Sequence, residues 1–230
     1  MQSYKGYRYP IEIISHVVWC YYRFSLSLRD VEELLLARGI SVSYETIRTW
    51  SRKWGGLYAA GIKKRQPKPG DKWHIDEMQI KISGQRYWLF RAVDEQGHEL
   101  DILLQARRNR KAVVRFFKKV LKGCQYVPDV VVTDKLKSYI KPCRHLLPRS
   151  EHRSHKRLNN RVENAHQSTR RREKQMIRFK TAASANRFIA IHGQVRNLFR
   201  VGRYTESASN KRARIVEALQ TWREISLQAA

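Results

Sequence analysis

The sequence predicts a mixed α/β domain preceded by a small all-α domain. Three features carry that prediction. Apolar residues recur at helical spacing over residues 9–60, and from 73 to 105 the spacing becomes a near-alternation broken by two short glycine-containing turns. Helical spacing then returns, interrupted by one run of valines at 130–132. The expected boundaries are 1–60 for the helical domain, 61–71 for a basic linker, 72–203 for the α/β domain and 204–230 for a terminal helix.

In the first domain, Tyr9-Pro10 opens a helix with Ile11, Ile14, Val17, Val18 and Tyr21 on one face. Ser27-Leu28-Arg29-Asp30 resembles a capping box ahead of Val31, Leu34 and Leu35, and Gly39 provides the stop. Ser43 caps a third helix whose apolar stripe is Ile47, Trp50 and Trp54, leaving Tyr44, Thr46, Arg48, Thr49, Arg52 and Lys53 outward. Two helices joined by a tight turn, the second presenting hydroxyls and cations, match a helix-turn-helix that reads duplex DNA in its major groove. A three-helix bundle with a solvated basic face has the same pattern. Gly61, Lys63-Lys64-Arg65, Pro67, Pro69 and Gly70 mark the linker.

In the second domain, 73–82, 85–93 and 99–105 read as three strands joined by turns at Ser83-Gly84 and Glu95-Gln96-Gly97. Residues 107–123 form an amphipathic helix with a basic outer face, and Asp129 to Thr133 a strand covered on both sides. A short helix near Ser138-Tyr139-Ile140 leads to a short edge strand at His145-Leu146-Leu147. Helices are then expected over 158–175, 182–199 and 205–228, the last with the stripe Ile215, Leu219, Trp222 and Ile225. That stripe suits either a surface for a second copy or packing on its own domain. Three hairpin-linked strands, a helix, a parallel strand and further helices give the element order of the ribonuclease-H-like fold, with a mixed five-stranded sheet.

With 47 Lys and Arg against 20 Asp and Glu, the formal charge is +27, which points to a polyanionic partner, nucleic acid before an anionic membrane. No apolar run approaches the roughly 20 residues of a spanning helix, and the N-terminus lacks a secretory core, so a cytoplasmic protein is expected. Three scattered cysteines, Cys20, Cys124 and Cys143, fit no disulfide framework. Cys143 with His145, His152 and His155 matches no closed zinc pattern.

Asp76 interrupts the first strand, Asp134 ends the valine run, and Glu163 lies on the 158–175 helix. Converging carboxylates repel unless a hard cation stands between them, and an all-oxygen set suits Mg²⁺ or Mn²⁺. Two such ions about 3.5–4 Å apart are what phosphoryl transfer needs. Each acid also has an ordinary reading: Asp76 paired with a surface Arg, Asp134 capping the next segment, Glu163 in a surface ion pair. His74, Glu77, His152, His155, His166 and Asn160 are candidates for contacts around the acids or with DNA, core or solvated positions being the default.

Ordered motifs across the chain carry a family resemblance: Trp73-His74-Ile75-Asp76-Glu77, Arg91-Ala92-Val93-Asp94, Val132-Thr133-Asp134-Lys135, Glu151-His152-Arg153-Ser154-His155-Lys156, Asn159-Asn160-Arg161-Val162-Glu163-Asn164 and Arg178-Phe179-Lys180-Thr181. Together they resemble the Asp-Asp-Glu transposases of bacterial insertion sequences, in particular the insertion-sequence-six family. The resemblance implies that Asp76, Asp134 and Glu163 hold two Mg²⁺ or Mn²⁺ ions. It makes Arg170, two helical turns after Glu163, a basic catalytic-site residue that holds a DNA phosphate. It further implies binding of terminal inverted repeats, replicative strand transfer to a cointegrate, a dimer or larger assembly, and a bacterial protein at the nucleoid. A helix-turn-helix regulator without catalysis, or a nuclease of the same fold, satisfies part of the pattern.

Overall fold

The computed structural model describes residues 6–24, 26–134, 136–154, 160–175, 179–201 and 206–229, with the backbone alone at 160–164. They fall into two units, residues 1–66 with 191–230, and residues 67–190.

In the first unit, α1 (Ile11–Arg23) follows Pro10, and α2 (Leu28–Leu36) starts on a complete capping box. The Asp30 amide donates to the Ser27 hydroxyl at 3.1 Å and the Ser27 amide to the Asp30 carboxylate at 2.7 Å, satisfying two orphan donors. Gly39, at φ +73°, supplies the left-handed residue that turns the chain into α3 (Tyr44–Arg65). Glu32 of α2 accepts the Tyr44 amide at 2.9 Å, fixing the start of α3 on α2 with an acid at the positive end of the helix.

The expected linker at 61–71 is helical as far as Arg65. The reason is burial: α3 carries Ile47, Trp50, Trp54, Tyr58 and Ile62 along one face, and Ile62 is as inaccessible as the rest. Gly61 is there because a neighbour comes close, since a Cβ at that position would lie 2.7 Å from Cγ2 of Ile225 on α8 (Ala208–Gln228). That helix packs on α1 and α3, with Trp222 against Tyr58 at 5.0 Å between ring centroids. The expected terminal stripe is therefore partly internal, Trp222 and Ile225 being buried while Leu219 stays 41% exposed.

Gly55 marks a second close approach, between α1 and α3. A Cβ there would meet Cε2 of Tyr22 at 2.6 Å, and that ring is buried with its hydroxyl donating to the Ser51 carbonyl at 3.2 Å. Replacing Gly by Ala inside a helix ordinarily gains about 1 kcal/mol. Overpacking costs about 1–3 kcal/mol, so Gly55→Ala is expected to lower the melting temperature. A raised melting temperature would show that the Tyr22 ring moves aside.

The second unit is built on a five-stranded sheet of order β3-β2-β1-β4-β5. β1 (Lys72–Ile82), β2 (Gln85–Asp94) and β3 (Glu99–Gln105) form an antiparallel meander. Ser83 and Gly84 both adopt positive φ, as a two-residue turn matched to strand twist requires. α4 (Arg110–Cys124) then carries the chain to the other side of β1, where β4 (Val130–Thr133) pairs parallel to it. This is the ribonuclease-H-like arrangement.

Next come a 3₁₀ turn (Lys137–Tyr139), α5 (Ile140–Leu146), β5 (Glu151–Ser154), α6 (Asn160–Gln175) and α7 (Ala182–Leu198). The expected edge strand at His145-Leu146-Leu147 is a correction: His145 and Leu146 end α5, and the edge strand is β5, parallel to β4. Leu147 faces the core that Val113, Phe116, Phe117 and Val120 of α4 make with Trp73, Ile75, Phe90 and Val131 of the sheet. Val93 meets Ala165 of α6 on the opposite side of the sheet.

Candidate functional site

One strand register brings the two aspartates together. β1 and β4 are paired parallel from Lys72↔Val130 to His74↔Val132. The same offset carried two residues further sets Asp134 beside Asp76, just past the carboxyl end of β4. On β1 the apolar phase changes at Asp76-Glu77. Trp73 and Ile75 join the α4-side core, and alternation sends the side chains of Asp76, Met78 and Ile80 to the other face. One ligand oxygen from each of Asp76, Glu77 and Asp134 lies within 4.8 Å of the others, so the described residues assemble a three-carboxylate group.

Glu77 is buried and accepts from the Tyr139 hydroxyl and from Arg108. Arg108 also reaches Asp134 at 3.3 Å, so one guanidinium bridges two of the three acids, and its carbon stands 4.9 Å from the Trp88 ring centroid. The Leu136 amide donates to the other Asp134 oxygen at 3.0 Å. Asp76 is less well compensated: burial pushes its carboxyl up to about 7, the charges of Glu77 and Asp134 add to the burial, and the Glu77 amide and the Arg108 charge offset only part of it. His166 of α6 stands 3.8 Å from Asp76, but burial, then the charges of Arg91 and Arg170, push its ring down to about 3, so it faces the carboxyl neutral near pH 7.

The donor set is all carboxylate, and burial, with the crowding of like charges behind it, already drives one member toward its neutral form. Those are the conditions that a hard divalent cation relieves, so the residues fit one.

Glu163 lies on α6, whose backbone packs along β1, but its side chain is outside the described residues. So are His155 and the Asn160 side chain. Arg170 lies two turns further along α6 and is exposed. His152 is held at 2.8 Å by the Thr133 hydroxyl, and Cys143 sits in the apolar core with burial raising its thiol to about 12, so the two are not drawn together as metal ligands. Sequence reasoning kept Glu77 only as an outer candidate and did not single out Arg108 or Tyr139. The one available signal for Arg108 was Asn109, whose side chain caps α4 by accepting the Ala112 amide at 3.0 Å and so fixes the residue before it.

Among the helix-turn-helix candidates, Thr49 and Arg52 are exposed. Arg48 is half-buried, with an ion pair to Glu45 at 2.7 Å and its guanidinium over Tyr44. The Thr46 hydroxyl shares a hydrogen bond with Ser43 at 3.0 Å. Lys53 donates to the Tyr7 hydroxyl at 2.7 Å and lies over the Trp54 ring, which ties its ammonium to the protein.

A family model described as a DDE domain, for transposases of the IS240 type, matches residues 70–202. The chain is similar to the transposase for insertion sequence element IS257 in transposon Tn4003 and to the transposase for insertion sequence-like element IS431mec, both of Staphylococcus aureus. Each is 34% identical over 138 residues, which is 60% of this chain and 61% of the relative. The chain thus matches less than two thirds of the length of these curated relatives. Among solved structures, the HTLV-2 integrase catalytic core domain in complex with magnesium aligns at 14% identity and a TM-score of 0.41, covering 64% of this chain and 95% of that one. The simian T-cell lymphotropic virus intasome, in complex with a PP2A regulatory subunit, aligns at 13% identity and 0.45, covering 62% and 53%. No helix among the described residues is long and apolar enough to cross a membrane.

Proposed function

This chain belongs to the DDE-domain transposases of the insertion-sequence-six family, and from that membership we propose that it binds the terminal inverted repeats of an insertion sequence and cleaves and joins DNA strands by phosphoryl transfer. The observation that carries the proposal is the meeting of Asp76 and Asp134 at adjacent parallel strands, in a cluster that holds Asp76 near 7. An isolated structural aspartate would have no reason to be kept there.

In this reading Asp76, Asp134 and Glu163 hold two Mg²⁺ or Mn²⁺ ions. Bound there, the ions supply charge neutralisation and polarise the phosphodiester. Arg170, on the Glu163 helix, holds a phosphate at the site. Tyr139 and Arg108 keep Glu77 oriented and offset part of the burial that pushes its carboxyl up. The third helix reads the terminal repeat through Arg48, Thr49 and Arg52, with Tyr44 and Thr46 at its N-terminal end and Lys53 stiffening the helix against Tyr7. Transfer is replicative and leaves a cointegrate, and joining two ends to a target requires at least a dimer.

The test is incubation of the purified chain with short duplexes carrying the element's ends, a target plasmid and Mn²⁺ or Mg²⁺. Joined products that depend on the cation are expected. Nicking without joining would reduce the chain to a nuclease, and end-specific binding without cleavage to a regulator.

A further inference from the structure

The outer face of α4 carries Lys111, Arg115, Lys118 and Lys122, all exposed. Their spacing of four, three and four residues puts them within one narrow stripe, about 16 Å long at 1.5 Å per residue. The fifteen residues of α4 include no acid. None of the four cations has an acidic partner among the described residues; Arg115 donates only to the neutral Gln105 amide, at 3.3 Å. Lys119, one position off the stripe, is the cation of this helix that pairs with an acid, Asp101 at 2.7 Å. Like charges three and four residues apart each cost an isolated helix a few tenths of a kcal/mol, and here nothing within the helix offsets them. The longer helix α8, by contrast, intersperses signs, with Glu217, Arg223 and Glu224.

The stripe is also continuous with the carboxylate cluster. Arg108, which bridges Glu77 and Asp134, stands two residues before α4, and the Asn109 cap joins them without a break.

We propose that this face of α4 is a track for the sugar-phosphate backbone of duplex DNA, leading it without sequence preference to the carboxylate site. The proposal rests on the reading of the chain as a DNA-processing enzyme and assigns the surface that carries the duplex outside the terminal repeat. A stripe of about 16 Å matches roughly five base pairs at 3.4 Å each. The sign of the face argues against a second copy as occupant: a two-fold interface sets a patch against itself, which would oppose four cations with four cations. Side chains of Lys and Arg on one helix face meet phosphates, which position a duplex and carry no sequence information.

The experiment uses the full chain and a scrambled duplex of about 24 base pairs, long enough to cover the stripe several times over at about 3.4 Å per pair. Binding is followed by fluorescence anisotropy between about 50 and about 200 mM salt. Replacing Lys111, Arg115, Lys118 and Lys122 together by Gln should lower affinity at least tenfold. It should also flatten the slope of log affinity against log salt by about 3–4, at about 0.9 per lost phosphate contact. The melting temperature should hold or rise, since the like-charge neighbours are gone. A control set on α8, Lys211→Gln with Arg212→Gln and Arg223→Gln, should leave the slope near that of the parent protein.

An unchanged slope in the α4 variant would overturn the proposal, as would an equal flattening in the α8 control, which would reduce the effect to net charge. A change of oligomeric state in sedimentation with duplex binding intact would assign the face to a second copy instead. These readouts need no divalent cation and no joined product. A parent protein that binds through α4 yet never cleaves would end the transposase reading and leave the track standing.

Discussion

Asp76→Asn is expected to lower cleavage and joining by more than about 100-fold, because loss of even an outer partner of a metal ligand costs about 10–100-fold. The same substitution should stabilise the cation-free protein, and by an amount that depends on pH. The folded-state carboxyl sits at about 7, above its ordinary 3.8, so the folded chain binds the extra proton between those values. Stability contributed by the protonated form is complete below about pH 4 and is lost as pH rises through about 7. The gain from Asn should therefore grow from pH 4 to pH 7 and stay level above it, up to about 4 kcal/mol for a shift of this size. Saturating Mg²⁺ should reverse the order at pH 8, raising the melting temperature of the parent and not of the variant. A gain that is the same at pH 4 and pH 8 would show that Asp76 is not held as a strained acid.

Arg91→Met should cost about 3–5 kcal/mol, the range for stripping one partner from a buried ion pair. Arg91 is fully buried, with Nε 2.8 Å from the Glu99 carboxylate and a terminal nitrogen donating to the Thr169 hydroxyl at 2.7 Å. It is the register partner of Asp76 across β1 and β2, so it shares the Asp76 face of the sheet and ties α6, the Glu163 helix, to that face. Pairing Arg91→Met with Glu99→Met should recover most of the loss, since two apolar groups of similar size can replace a buried pair at little cost. Urea denaturation reads both. A loss below about 1 kcal/mol for the single change would show the pair to be hydrated rather than dry.

Much of this was legible where burial is one-sided. The meander announced itself by alternation, and the Ser83-Gly84 turn by its residue types. The valine run announced a strand covered on both faces, and Asp134 at its end needed only the parallel register to meet Asp76. What escaped were features without an apolar signature. β5 is Glu-His-Arg-Ser, an edge strand held by backbone pairing and exposed on all its side chains but the half-buried His152, so the apolar Leu146-Leu147 nearby took its place in the prediction. Gly61 looked like a helix breaker because sequence alone does not distinguish a glycine that ends a helix from one that lets a neighbour approach. Arg108 sat in a loop among 47 cations, and nothing local distinguished it until the carboxylates were placed around it. The side chain of Glu163, the third acid of the prediction, stays outside the described residues.

The guanidinium of Arg108, bridging Glu77 and Asp134, would turn metal loading at the proposed site from an addition into an exchange. An arriving divalent ion has to displace a resident monovalent one, so the apparent affinity is the difference between two attractions. A contest of that kind favours compact, charge-dense ions, and raises the concentration at which the site fills. The same guanidinium stands over Trp88, two residues ahead of α4. Filling the site would then free an arginine that neutralises acids here, leaving it available to an anion.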